Sequence, residues 1–307
     1  MRMADQTTLT TLTVHQPIRV TGRRTPRLVR SLLRARVAAG GLIVLALVVA
    51  MALAAPLLAP HNPEAGNIVD SKLPPFWVAG GVQAHPLGTD ELGRDILSRV
   101  IYGSRISLLV GFTAVALAGT IGVTIGLIAG FYRGRVDDVL MRIAEIQLAV
   151  PFIVFAIAML AVLGPGLRNI IITLGITGWV TYARVVRGQV LSIREREFVA
   201  AARVLGANDL RMMVRHILPN TVASIIIIAS FAVANTILAE AALSFLGLGV
   251  PPTVPTWGGM VAAGRDQIIT GNWWIYVFPG LAIMLTVLAI NAVGDWLRDY
   301  LDPRLRL

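Results

Sequence analysis

The chain has 307 residues, of which 56% are hydrophobic and only 14% charged, with a mean hydropathy of +0.73. Soluble domains carry about 25% charged residues, so most of this chain is built to avoid water. The net charge of +10 would suit nucleic acid, but such binders gather their basic side chains on one polar face, and here arginines flank apolar stretches; the absence of cysteine excludes disulfides and thiolate metal sites.

Residues 1–30 are polar and rich in Thr and Arg, which predicts poor order, and 1–36 reads as an N-terminal cytoplasmic tail. The first apolar run, 37–58, exceeds the roughly 7–15 residues of a signal-peptide core and is read as a retained helix. A bilayer-spanning helix needs about 20 apolar residues. Five further runs satisfy that requirement or come close: 106–131, 139–163, 169–186, 221–248 and 275–296. The predicted fold class is therefore all-α integral membrane, with six transmembrane helices and lipid as an obligatory neighbour.

Arginines crowd the segment before residue 37 and the segment from Arg184 to Arg215, whereas the alternate segments hold Lys72, Arg94, Arg99, Arg105, Arg168 and Arg265. The bias of Lys and Arg toward the cytoplasm places both termini inside. Segment 59–105 is then extracytoplasmic, with an amphipathic stretch. Asp90, Gly93, Arg94 and Asp95 cluster there, to cap the second helix or to receive an external partner. The core of five transmembrane helices spans 106–298. Within it, Gly122, Gly126 and Gly130 recur every four residues and predict close helix packing.

Glu145 is expected to pair with Arg142 or to lie at the headgroups. The fourth run is interrupted by Gly175, Thr177, Gly178 and Thr181, and should face other helices or a cavity. Glu240 lies inside the fifth run, where an acid marks a pathway or bonds within the bundle, with Asn235 and Ser244 as nearby candidates. The outer segment 249–274 follows, and its Trp257, Trp273 and Trp274 fit an interfacial aromatic belt or a docking role. Residues 299–307 form a short cytoplasmic tail.

The cytoplasmic segment 188–220 includes REREFVAAARVLGANDLRMMVRHILPN (194–220). A helix from 197 should end at Gly206, Asn208 should cap a second, and Pro219 should break it. The result is a compact knob, basic through Arg203, Arg211 and Arg215, with its alanines, Leu205 and Leu210 expected to make it stiff and well packed.

No catalytic residues are expected. The only lysine, Lys72, has no glycine-rich run before it, so the chain holds no phosphate-binding P-loop. His15, His61, His85 and His216 show no i, i+4 pair, and no metal site is expected.

Ala201-Ala202, Gly206 and Leu218-Pro219 match the spacing of the cytoplasmic signature of bacterial ATP-binding-cassette importer permeases, with Ala200 at its Glu position and His216 at its Ile position. HPLGTDELGRDILSRVIYGSRISL (85–108), LAEAALSFLGLGVPPTVPTWGGM (238–260) and the DPRLR tail resemble the C-type permeases of the dipeptide/oligopeptide/nickel family, over about 30–307. The resemblance implies a type I importer permease in the bacterial inner membrane. It implies a heterodimer with a second permease, two ABC ATPases that bind the ATP and Mg, and an extracytoplasmic solute-binding protein. It places coupling to an ATPase on Ala201, Ala202, Gly206, Asn208, Asp209, Leu210, Arg211 and Arg215. Asp90, Arg94, Asp95 and Trp257 fall on the side of the binding protein, and Glu240, Asn235 and Ser244 among the intramembrane polar groups. The resemblance implies di- and oligopeptides as the solute, with nickel or glutathione as the alternative, and a proton-coupled secondary transporter using Glu145 and Glu240 is the rival mechanism.

Overall fold

The computed structural model describes residues 31–32 and 35–301. The predicted N-terminal tail up to residue 30 and the DPRLR tail lie outside the described residues. Among the described residues there is no strand, and extended pairing is confined to isolated bridges joining Gly66 to Arg94 and Thr89 to Asp95.

Helix α1 (Arg36–Leu53) is apolar nearly throughout and is followed by one turn, α2 (Ala55–Leu58). The predicted run 37–58 is interrupted because Pro56 lacks an N–H and sits in the first turn of α2, so the chain turns at Ala54. Helix α3 (Ile96–Tyr132) starts ten residues before the predicted run. Arg99, Ser104 and Arg105 lower the apparent hydrophobicity of its first turns, but Arg99 and Ser104 are buried and satisfied by hydrogen bonds.

The third predicted run is two helices. Helices α4 (Gly134–Ala149) and α5 (Phe152–Leu163) meet at 93°. The break falls where Pro151 forces Val150 out of helical geometry, to φ −93° and ψ 124°. Helix α6 (Leu167–Ile193) is the most buried of the long helices. After a short helix α7 (Glu197–Val204), one turn of helix α8 (Asp209–Arg211) runs through a π-helical turn (Met212–Ile217) into α9 (Leu218–Phe245). Helix α10 (Trp257–Ala263) and the long α11 (Trp274–Leu301) follow, the last elements among the described residues.

Five helices among the described residues are long and apolar enough to cross a membrane, and the bent α4–α5 pair makes a sixth candidate. Helices α3 and α6 form the tightest pair. A Cβ on Gly122 would lie 2.2 Å from the Trp179 carbonyl oxygen, one on Gly126 2.4 Å from that of Ala183, and one on Gly130 2.8 Å from Val190 Cβ. The predicted glycine face is thus the contact that lets two backbones touch. Elsewhere large apolar side chains point outward, among them Leu109, Phe112, Val154 and Leu288, which suits a hydrocarbon surround.

Candidate functional site

At one end of the bundle the chain forms an elbow. Val199 of α7 is buried against Met212, Met213 and Ile217, continuing a cluster with Phe131 and Val190, and Ala202 is buried as well. Gly206 turns the chain at φ +83°, a region that disfavours residues with a Cβ. The Asn208 side chain then accepts a hydrogen bond from Arg211 N at 2.9 Å and caps the next helix. Two expectations fail here. Pro219 does not break that helix: the preceding turn widens to π geometry, Leu218 N donates to Met213 O five residues back, and the rod continues to Phe245. Leu205 and Leu210 do not pack inside; they are 87% and 66% exposed, beside Val204 at 87%. Ala201, Asp209, Arg203, Arg211 and Arg215 share the exposed surface, whereas Ala202 faces the core.

The elbow is anchored to the spans by charge. Arg187 of α6 holds Asp137 of α4 with two bonds of 2.5 and 2.6 Å, Arg133 pairs with Glu195 at 2.7 Å, and Arg194 donates to the Phe131 carbonyl. Nothing in the sequence pattern singled out Arg187 with Asp137, which lie 50 residues apart. Gln147 was missed as well. Its amide bridges Ile176 O and Thr177 O at 3.1 and 3.0 Å and accepts from Trp179 Nε1 at 2.7 Å, clamping α4 near its bend onto α6. Glu145 pairs with Arg142 at 3.0 Å on the surface.

Between α3, α5, α6 and α9 lies a cavity of about 450 Å³, lined by Phe152, Thr177, Thr181, Tyr182, Asn235 and Thr236 among others. The interrupted fourth run does face a cavity. Asn235 lines it, but Glu240 and Ser244 do not. Glu240 is buried and accepts from Ser244 Oγ at 2.8 Å, with Thr256 as a further partner. Asn235 takes no part in that bonding.

The opposite end carries a cap. Asp90 accepts from Arg94 N at 3.0 Å and Nε at 2.7 Å, and Arg99 Nε approaches it at 3.6 Å. Arg94 and Arg99 also donate to Pro252 O, at 3.1 and 3.3 Å, and Arg99 donates to Pro63 O at 2.8 Å. Asp95 caps α3 through Ser98 N at 2.8 Å and Ser98 Oγ at 2.6 Å. Asp90, Arg94 and Asp95 are therefore buried, the first two bonded to each other and Asp95 to Ser98 and His85, which is the arrangement of a structural cap. Trp257 departs from the aromatic-belt expectation. It is fully buried against Gly103 and donates Nε1 to Val100 O at 2.9 Å. Trp274 is buried with Nε1 bonded to Thr89 O, which leaves Trp273 half-buried. The cap also brings His61 and His85 onto Asp95, 24 residues apart in sequence and invisible to any test of helical spacing.

A bundle of long apolar helices, with an elbow that turns apolar side chains outward at one end, defines a multi-pass membrane protein. Its fold is similar to a chain of the MetNI methionine ABC transporter in an inward-facing form, with a TM-score of 0.55 at 18% identity over 66% of this chain and 96% of that one. Residues 122–307 match the family described as binding-protein-dependent transport system inner membrane component, and residues 27–75 match the N-terminal TM domain of oligopeptide transport permease C. The chain belongs to the former family.

It is 45% identical to the di/tripeptide transport system permease protein of Pseudomonas aeruginosa, over 88% of each chain. It is 42% identical to the dipeptide transport system permease protein of Bacillus subtilis, over 90% of this chain and 85% of the other. It is 43% identical to the glutathione transport system permease protein of Pectobacterium atrosepticum, over 90% of each. As a member, the chain is a permease subunit of an ABC importer, working with a further permease and with ATPases, and is not itself the ATPase.

Proposed function

We propose that this chain is the C-type permease of a bacterial inner-membrane importer for dipeptides and oligopeptides. It pairs as a heterodimer with a second permease, receives solute from an extracytoplasmic binding protein, and is driven by two ATPases that carry the ATP and Mg. The elbow is the coupling element. One observation carries this reading: Val204, Leu205 and Leu210 are exposed on a knob whose underside is fully packed. Exposed apolar side chains on a rigid base, ringed by Arg203, Arg211 and Arg215, suit a protein cleft better than water or lipid. Ala201 lets that partner approach closely, and Asn208 and Gly206 hold the turn that presents the surface.

Solute would cross beside the cavity that Asn235, Thr181 and Tyr182 line, at the surface completed by the second permease. Peptides are the reading that several relatives support, and the 43% identity to a glutathione permease favours glutathione as the second reading. Both are short amide-bearing solutes. Family membership removes the reason for a proton-coupled mechanism through Glu145 and Glu240, one paired at the surface and the other bonded inside the cap.

The test is uptake by the reconstituted complex. Ala201→Trp and Gly206→Pro should leave membrane insertion intact and abolish ATP-driven uptake. A panel of dipeptides, oligopeptides, glutathione and nickel then separates the solutes. ATP-driven uptake that persists in Ala201→Trp would overturn the assignment of the elbow.

A further inference from the structure

His61, His85 and Asp95 come from three separate stretches of chain: the lead-out from α2, the turn before the cap and the start of α3. One donor atom from each lies within 4.8 Å of the others. His85 Nδ1 is 3.0 Å from Asp95 Oδ1 and His61 Nδ1 is 3.8 Å from Asp95 Oδ2, while the imidazole rings are 4.6 Å apart. In a tetrahedral site with bonds of about 2.0–2.1 Å, neighbouring donor atoms stand about 3.3 Å apart; the two nitrogen–oxygen approaches lie on either side of that value, each to a different oxygen of the carboxylate, so the rings close in on an ion as it binds.

We propose that His61, His85 and Asp95 form a binding site for a divalent transition-metal ion of the zinc type, at the end of the molecule opposite the elbow. Two imidazoles with one carboxylate select such an ion over magnesium or calcium, which prefer all-oxygen sets. Three protein donors leave one position open for water. That position has a route to solvent, because His61 also lines an open cavity of about 610 Å³ with Glu64 and Tyr102. Part of the site is held before any ion arrives: Ser98 N and Oγ fix the buried Asp95 carboxylate, and Ser98 Oγ also accepts from the His61 backbone N–H at 3.0 Å, which places that stretch of chain beside the carboxylate.

A ring that binds through Nδ1 carries its proton on Nε2, so His85 gives up its Nδ1 contact with Asp95 when an ion enters. The carboxylate supplies the negative charge that offsets the positive end of α3. The site pins the 60–95 segment onto α3 and is independent of which solute the importer carries.

The test uses the full-length chain in nanodiscs, purified without a histidine tag and titrated with Zn²⁺ by calorimetry and with Co²⁺ by visible absorption. Wild type should take up one ion per chain, with cobalt bands of a four- or five-coordinate site, and Zn²⁺ should raise its melting temperature. His61→Ala and His85→Ala should lose these responses, Ser98→Ala should weaken binding by about 10–100-fold, and His216→Ala should change nothing. Absence of stoichiometric uptake by wild type, or uptake retained in the His61→Ala/His85→Ala double variant, overturns the site. Should a variant fail to fold, histidine modification of wild type by diethylpyrocarbonate decides the matter: Zn²⁺ protects both His61 and His85, or the site is absent.

Discussion

The two ends of this molecule solve opposite problems. At the cap, charged and polar side chains turn inward: Asp90, Arg94 and Arg99 are buried and answer one another or the carbonyls of Pro63 and Pro252, and buried Asp95 is held by Ser98 and His85. At the elbow, apolar side chains turn outward: Val204, Leu205 and Leu210 face solvent above a filled core. Polar groups kept to themselves make a self-sufficient structure, and apolar groups offered to the outside make an unfinished one. The difference separates residues that hold the protein together from residues that the proposed function gives to a partner.

The contrast can be broken experimentally, beginning where the effect is largest. Asp90→Ala strands Arg94 and Arg99 in a buried site and should cost about 3–5 kcal/mol, read as a large drop in melting temperature and in yield. Gly126→Val drives a side chain against the Ala183 carbonyl, so overpacking should cost about 1–3 kcal/mol, measured by the same unfolding assay. Asn208→Ala removes a helix cap and should cost about 1 kcal/mol, with loosened hydrogen exchange confined to 205–211. Leu205→Ser should change stability by less than about 0.5 kcal/mol and yet abolish ATP-driven uptake. A Leu205→Ser variant as unstable as Asp90→Ala would erase the distinction between the two ends.

Much of this was legible in the residues. Apolar length located the spans, the Gly122–Gly126–Gly130 spacing located the α3–α6 seam, and Gly206 with Asn208 located the elbow turn, because each is a local rule read within a few residues. The sequence was less informative where a proline acts through its context. Pro151 bends a span by 93° and Pro219 does not interrupt one, since a π turn can absorb a missing N–H but Val150 could not stay helical ahead of a proline. It was silent where tertiary folding makes the pair: Arg187 with Asp137, Gln147 with Trp179, and the convergence of His61 and His85 on Asp95. The outward facing of Leu205 and Leu210 was also hidden, because a leucine beside a helix end carries no mark of which way it points.

The π turn at Met212–Ile217 has a mechanical consequence. It welds the elbow to α9, so that Asp209 through Phe245 is one 37-residue strut, about 55 Å from tip to tip at 1.5 Å per residue. A one-degree tilt about the middle of such a strut displaces each tip by about half an ångström. Glu240 and Ser244 ride on the far tip, against the α10 segment. If the elbow is the coupling element, as proposed, a push at Leu210 would reach the far end of the strut without a joint in between.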